Sequence, residues 1–322
     1  MKVRSKKSTN VRTVVFELLR DGIQGLERLS PTLAAAGAEG LFLTPWRPHR
    51  PSREQALLGR ATPLPLSVHG ETIAAWSWGQ GAPIALVHGW QGRGTQLGAF
   101  IEPLVERGHR VIAFDVRAHG DSPGRQATLL EFRDALIAAA SVVGPLRGVI
   151  AHSFGAAGVW CALASGVSVD RLVLIAPVAR LEGGIRRFAE GMLGLERATA
   201  DRVIDRVERR TDSPLPLVEP LEIAPKVEAD ALIIHDRGDR EVSFSDGELL
   251  AAACKRAKLL PTEGLGHARV LSDPEVALVA ADFIAGDESR LRAALEMRTM
   301  APEAARLDRY LFRRDQRNLA PA

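Results

Sequence analysis

Five short aliphatic runs recur along the middle of the chain with little polar interruption: Ile84 to Val87, Arg110 to Phe114, Gly148 to Ala151, Arg171 to Ile175 and Ala231 to Ile234. Each is too short for a helix. Unbroken apolar character, rather than alternation, marks strands covered on both faces and hence a mostly parallel sheet. A weaker run from Ala257 to Pro261 supplies a last strand. Ahead of them, Leu64 to Trp78 reads as a hairpin turning at His69-Gly70. Stretches with helical spacing fall between the runs, at Leu97 to Arg107, Leu129 to Val143, Ala156 to Ser165, Ser245 to Lys255 and Pro274 to Ile284. A hairpin followed by strand and helix in alternation gives an α/β architecture.

The alternation is broken once. The span 177–229 is far longer than the dozen or so residues a crossover needs. Inside it, Leu181 to Leu195 and Ala198 to Arg210 read as amphipathic segments, with Ile185, Phe188, Met192, Leu195, Val203, Ile204 and Val207 as their apolar members. A structured insertion beside a strand's carboxyl end is most simply a lid over a pocket. Residues 1–60 form a separate unit. An amphipathic helix is expected over 11–30, from Val14, Val15, Leu18, Leu19, Ile23 and Leu26, followed by an extended connector stiffened by Pro45, Pro48 and Pro51. The basic-aromatic group Trp46, Arg47, His49 and Arg50 within that connector is expected to pack the arm on the domain. Core residues 61–286 follow, then an accessory helix and tail over 287–322, with helical propensity from Glu288 to Arg317.

One run ends in a turn of unusual composition. Gly148-Val149-Ile150-Ala151 passes at His152-Ser153-Phe154 straight into the small-residue stretch Gly155-Ala156-Ala157-Gly158. A strand reversing directly into a helix brings the positions two before and two after the central residue so close that only small side chains fit, here Ala151 and Gly155. It also thrusts the central side chain out at the sheet's carboxyl edge, beside the free N–H groups of the helix start. Those are the features of a nucleophile elbow. An exposed serine capping a helix would carry a similar pentad.

Composition excludes more than it identifies. Hydrophobic residues make up 46% and charged residues 25% of 322, as in an ordinary globular protein, and the net charge is only +3. The basic stretch Met1 to Arg12, with five Lys or Arg and no acid, is read as a solvated terminus rather than a nucleic-acid arm. Cys161 and Cys254 are too few for a disulfide framework and lack metal-ligand spacing. The apolar stretch Val14 to Leu19 is short and broken by Glu17, so neither signal peptide nor membrane anchor is expected and the location is taken as cytoplasmic. No helix-face histidine pair, Cys/His cluster or Walker-type loop is present, so no metal and no cofactor is expected.

Four motifs in order now carry a family likeness: His88-Gly89-Trp90 after one strand, Asp115-Val116-Arg117-Ala118-His119-Gly120-Asp121-Ser122 after the next, the elbow, and Gly264-Leu265-Gly266-His267 after the last. Over roughly residues 63–286 the chain resembles the α/β-hydrolase superfamily, specifically its lid-bearing serine hydrolases. Ala151 and Ala118 stand where that family usually has glycine. The resemblance implies an α/β-hydrolase fold: a mostly parallel eight-stranded sheet with helices on both faces and a small helical lid. It also implies a catalytic triad of Ser153, Asp239 and His267. Of the two aspartates after the strand ending at Ile234, the family pattern places the acid four residues after His235, at Asp239. Asp236 is left for a loop hydrogen bond or an ion pair with Arg237 or Arg240.

Serine needs a base within hydrogen-bond reach, oriented by a third group. Among the eight histidines, His267 lies in a glycine-flanked loop free to swing over the sheet edge. The backbone N–H groups of Trp90 and Phe154 are the natural oxyanion donors, and His88, Gly89, Trp90, His152 and Phe188 are the expected pocket residues. Asp115 and His119 are expected to tie loops together, and Arg117 is a candidate to meet a substrate carboxylate. The expected reaction is hydrolysis of a small to medium carboxylic ester, thioester or amide through an acyl-enzyme. The expected partner is a small-molecule ester, not a nucleic acid or a membrane, and the chain is expected as a monomer or homodimer. A catalytically silent relative that binds a ligand or a partner through the lid is the alternative.

Overall fold

The computed structural model describes residues 11–296. Its strands are β1 (Thr62–Pro63), β2 (Leu66–Val68), β3 (Glu71–Ile73), β4 (Ala75–Trp78), β5 (Ala82–Val87), β6 (His109–Phe114), β7 (Leu146–His152), β8 (Val169–Ile175), β9 (Asp230–Asp236) and β10 (Ala257–Thr262). Eight of them form one sheet in the order β1-β4-β6-β5-β7-β8-β9-β10. From β6 to β10 every pairing is parallel, and only the β1–β4 and β4–β6 pairs are antiparallel. Parallel pairing puts the carboxyl ends of β5 to β10 along one edge, and all the candidate chemistry lies there.

The aliphatic runs are the reason for this architecture. Ile84 and Leu86 face one side of the sheet and Ala85 and Val87 the other, and all four are fully buried. On one face the cover includes α5 (Leu129–Val143) and α6 (Phe154–Ala164), with Phe132, Leu136 and Trp160. On the other are α4 (Ile101–Glu106) and α13 (Pro274–Ala285), with Leu104 and Phe283. Thr128 starts α5 with a capping box: its hydroxyl accepts from the helix backbone while Glu131 accepts from the Thr128 N–H.

The expected single hairpin over residues 64–78 is corrected. β2 and β3 pair through the His69-Gly70 turn as a separate two-stranded sheet, and β4 leaves to join the main sheet beside β6. Ala74 sets the change of direction. Its N–H donates to the Ser122 hydroxyl at 2.9 Å and its carbonyl accepts from Asp115 N at 2.8 Å, which pulls the chain off the hairpin.

The N-terminal arm holds more helix than its sequence pattern suggests. After α1 (Val11–Leu29) comes α2 (Pro31–Phe42), then an irregular stretch, then α3 (Ser52–Leu58). Ser30 separates the first two helices: its hydroxyl caps Leu33 N, and Pro31 fills the first helical position, where no N–H is needed. Ala34, Ala35 and Ala38 are fully buried, letting α2 lie close against α8 (Arg197–Thr211), the long helix of the 177–229 insertion. Glu39 of α2 meets Arg206 of α8 at 2.6 Å, and Gln24 of α1 donates to the Leu193 carbonyl at 2.7 Å. In that insertion α7 (Leu181–Arg186) runs into a π turn, Arg187–Met192, and the short helices α9 (Leu215–Val218) and α10 (Pro220–Ile223) follow α8. At the other end residues 289–296 are helical. The rest of the expected accessory helix, and the basic stretch before residue 11, lie outside the described residues.

Candidate active site

β7 ends at His152 and α6 begins at Phe154, which leaves Ser153 alone in the turn at φ 52°, ψ −124°. A left-handed φ at a non-glycine residue costs on the order of 1–3 kcal/mol and persists only where its surroundings impose it. Here Ser153 N donates to the Ile175 carbonyl at 2.9 Å, and a Cβ on Gly155 would stand 2.1 Å from the His88 carbonyl oxygen. The pinch explains the small residues around the serine.

The structure brings Ser153, Asp239 and His267 together. His267 Nε2 lies 3.0 Å from Ser153 Oγ, and its Nδ1 lies 2.7 Å from Asp239 Oδ2. Donation from Nδ1–H to the carboxylate leaves Nε2 bare to accept from the hydroxyl. Asp239 is enclosed, and its Oδ1 accepts from the N–H groups of Glu241 at 2.8 Å and Val242 at 3.0 Å. Burial alone would push its carboxyl up. Hydrogen bonds from His235, His267, Val242 and Glu241 outweigh it and hold the group well below the usual carboxylate range.

Asp236 does another job. Its Oδ1 accepts from Gly238 N at 2.9 Å, and its Oδ2 accepts from Leu265 N and Thr262 Oγ1, both at 2.9 Å. It therefore ties the Asp239-bearing loop to α12 (Gly266–Arg269), the single turn that carries His267. Of the two roles expected for it, a loop hydrogen bond or an arginine ion pair, the first is the one the structure places there, with backbone and hydroxyl donors.

Two expected pocket residues are corrected. His88 is fully buried: its Nε2 accepts from Val116 N at 3.0 Å and its Nδ1 donates to the Gly89 carbonyl at 2.7 Å, so the ring braces the turn from behind. His152 is also buried. Its Nε2 donates to the His267 carbonyl at 3.0 Å, with the two rings 4.6 Å apart, so it props His267 from behind. Gly89 does border the serine, since a Cβ there would lie 3.1 Å from Ser153 Cβ. Among the described residues no carbonyl or side chain accepts from the N–H of Trp90 or of Phe154.

The Trp90 ring stands edge-on to Phe154 at 5.4 Å and stacks on Phe42 at 6.2 Å, and Phe42 meets Phe188 at 5.2 Å. Sequence reasoning missed Phe42, because nothing in α2 signals that its last residue reaches the 177–229 insertion and the Trp90 turn. Arg117 is not free for a ligand: it pairs with Glu71 at 2.8 Å and donates to the Gln126 carbonyl at 2.9 Å. It borders a cavity of about 590 Å³ shared with Thr44, Arg125 and Arg210, which does not include Ser153. Among the described residues no group of three or more His, Cys, Asp or Glu side chains could hold a metal ion, and no helix is long and apolar enough to cross a membrane.

Burial pushes three imidazoles down, His88 to about 4 and His119 and His152 to about 3, from an ordinary 6.5. The unfolded chain takes up these protons near pH 6.5 while the folded chain refuses them. Stability is therefore lost as pH falls through 6.5 and keeps falling toward the folded values. Asp115, raised by burial, acts in the opposite sense. The urea midpoint is expected to drop steadily from pH 7.5 to pH 5; a constant midpoint would contradict the buried neutral rings.

The model of the alpha/beta hydrolase family matches residues 84–281. The chain belongs to that family. Among solved structures of the fold, an esterase from Pyrococcus furiosus is 20% identical with a TM-score of 0.56, covering 75% of this chain and 97% of its own. A meta-cleavage product hydrolase from Pseudomonas fluorescens IP01 is 18% identical with a TM-score of 0.53, covering 70% and 98%. A non-heme chloroperoxidase from Kitasatospora aureofaciens is 37% identical over 60 residues, 19% of this chain and 22% of that relative. The chain thus matches only about a fifth of the chloroperoxidase's length. The family match begins at Ile84, so the arm lies outside it, although Phe42 touches Trp90.

Proposed function

We propose that this hydrolase-family chain is a serine hydrolase that cleaves carboxylic esters of small to medium acyl substrates through an acyl-enzyme. The observation that carries the reading is the relay from Asp239 through His267 to Ser153, at 2.7 and 3.0 Å. Ser153 Oγ attacks the ester carbonyl as His267 Nε2 takes its proton. The imidazolium is stabilised by the Asp239 carboxylate and returns the proton to the departing alcohol. Water then repeats the sequence on the acyl-enzyme and frees the acid.

Charge developing on the carbonyl oxygen needs donors already in place, each worth about 3 kcal/mol. The unpartnered N–H groups of Trp90 and Phe154 suit this, one in the turn pressed against the serine and the other at the start of α6. Trp90, Phe42 and Phe188 supply apolar surface for an acyl group. Thioesters and amides fit the same machinery. The free, buried Cys161 and Cys254 agree with a reducing, cytoplasmic setting.

A fluorophosphonate probe tests the reading. One equivalent is expected to attach, on the peptide carrying Ser153, with loss of ester turnover in step. An unlabelled protein would favour a silent binder on the same fold.

A further inference from the structure

We propose that Arg50 and Glu54, from the N-terminal arm, are positioning residues that hold the oxyanion turn in register; this rests on the serine-hydrolase reading. The turn runs from His88 to Thr95. Its entrance is fixed from within the domain, by the His88 ring between Val116 N and the Gly89 carbonyl. Between the two ends lie Trp90, Gln91 at φ 58° and Gly92, whose N–H donates to the Gly89 carbonyl at 3.0 Å. Such a turn has several nearby conformations unless both ends are held.

The exit is held by the arm. Arg93 forms a two-pronged pair with Glu54, Nε to Oε2 at 2.5 Å and Nη2 to Oε1 at 2.6 Å. Thr95 Oγ1 donates to the same Glu54 Oε2 at 2.6 Å and accepts from Arg50. Arg50 continues to Asp115 Oδ2 at 2.9 Å and Asp121 Oδ2 at 2.8 Å, and Asp115 Oδ1 closes the circuit by accepting from Gly94 N at 2.7 Å. Arg50, Glu54, Arg93, Thr95 and Asp115 are all at least nine-tenths buried. Three consecutive residues of the turn, 93 to 95, are thus each tied into one enclosed network of charges.

Buried ion pairs are a poor source of net stability, since apolar residues of similar volume often do as well. What a planar, bidentate pair adds is orientation. Oxyanion donors demand that, because a misplacement of about 1 Å can cost on the order of a hundredfold in rate. Trp90 N is three residues from Arg93, whose side chain the arm orients while Asp115 of the domain holds the neighbouring Gly94 N–H. The family match begins at Ile84, so Arg50 and Glu54 lie outside the matched residues.

The decisive variant replaces the pair by apolar side chains, Glu54→Leu with Arg93→Met, which removes orientation while leaving no unpaired charge. Turnover of a p-nitrophenyl ester, normalised to sites titrated with the phosphonate, is expected to fall about ten- to a hundredfold in kcat. KM is expected to stay within about threefold of the wild type and the melting temperature close to it. The second-order rate of phosphonylation should fall in parallel, because the phosphoryl oxygen needs the same donors. If the double variant does not fold, Glu54→Asp keeps the charge but is too short to hold both prongs, and kcat is expected to drop by a smaller factor. A folded variant of either kind with wild-type kcat and phosphonylation rate overturns the clamp. An unlabelled wild type removes the hydrolase reading and the clamp with it, so the two failures are distinguishable.

Discussion

Replacing Asp239 by asparagine is expected to lower kcat about ten-thousandfold while leaving the fold intact. The surroundings dictate how the new amide must sit. Two backbone N–H groups, from Glu241 and Val242, converge on Oδ1, so the amide oxygen is held there and the NH₂ is turned to the Oδ2 position. That position faces His267 Nδ1 at 2.7 Å. Donor would then meet donor unless the imidazole moved its proton to Nε2, which would leave nothing to accept from Ser153. The carboxylate charge that steadies the imidazolium is lost as well. Asp236→Asn is the control. Its oxygens accept from Gly238, Leu265 and Thr262 and touch neither His267 nor Ser153, so it should lower the melting temperature and reduce kcat less than tenfold. Steady-state kinetics on titrated sites decide between them, and a more damaging Asp236→Asn would reverse the assignment of the acid.

Gly155→Ala is expected to be the most damaging methyl group that can be added to this chain's active-site turn. The new Cβ would lie 2.1 Å from the His88 carbonyl oxygen, 2.9 Å from its carbon and 3.0 Å from the Val87 carbonyl oxygen. All three are backbone atoms at the end of a central strand and cannot rotate aside. Overpacking against movable side chains costs roughly 1–3 kcal/mol; against this backbone the cost should exceed about 3 kcal/mol, or the elbow must open and take Ser153 out of line with His267. The same change at Gly184, in α7 with nothing within 4 Å of its Cβ, should stabilise by up to about 1 kcal/mol through helix propensity alone. Urea denaturation of the two variants would show shifts of opposite sign. A Gly155→Ala protein as stable and active as the wild type would mean that the turn is looser than its geometry.

Both substitutions act where the sequence was easy to read. Crowding at the elbow permits only small residues at fixed offsets from Ser153, so the constraint is written locally. The strand runs were legible for a similar reason: burial on two faces leaves no room for polar residues, and parallel pairing then sends the loops bearing Asp239 and His267 to Ser153's edge. Where the cause was distant the sequence was silent. α2 is a nearly featureless alanine-rich stretch whose meaning lies in α8, far along the chain, and α3 is a single short segment among prolines. The break in the hairpin at Ala74 depends on Ser122 and Asp115. His88 and His152 carry imidazoles beside Ser153 and His267, yet each is turned inward by a backbone partner that no spacing rule reveals. Phe42 and Glu54 were illegible because their partners belong to the insertion and the domain, whereas Arg50 was expected to pack the arm on the domain and does so through Asp115 and Thr95.

The arm's tie to the insertion also governs how the protein assembles. Gln24 waits for Leu193 and Glu39 for Arg206, 169 and 167 positions further on, so during synthesis the leading helices are made long before anything exists to dock them. Contacts of such sequence separation form slowly because a large loop must close first. Refolding should therefore show the parallel sheet gaining hydrogen-exchange protection early and the buried alanines of α2 last, with the proposed activity appearing only in that final phase.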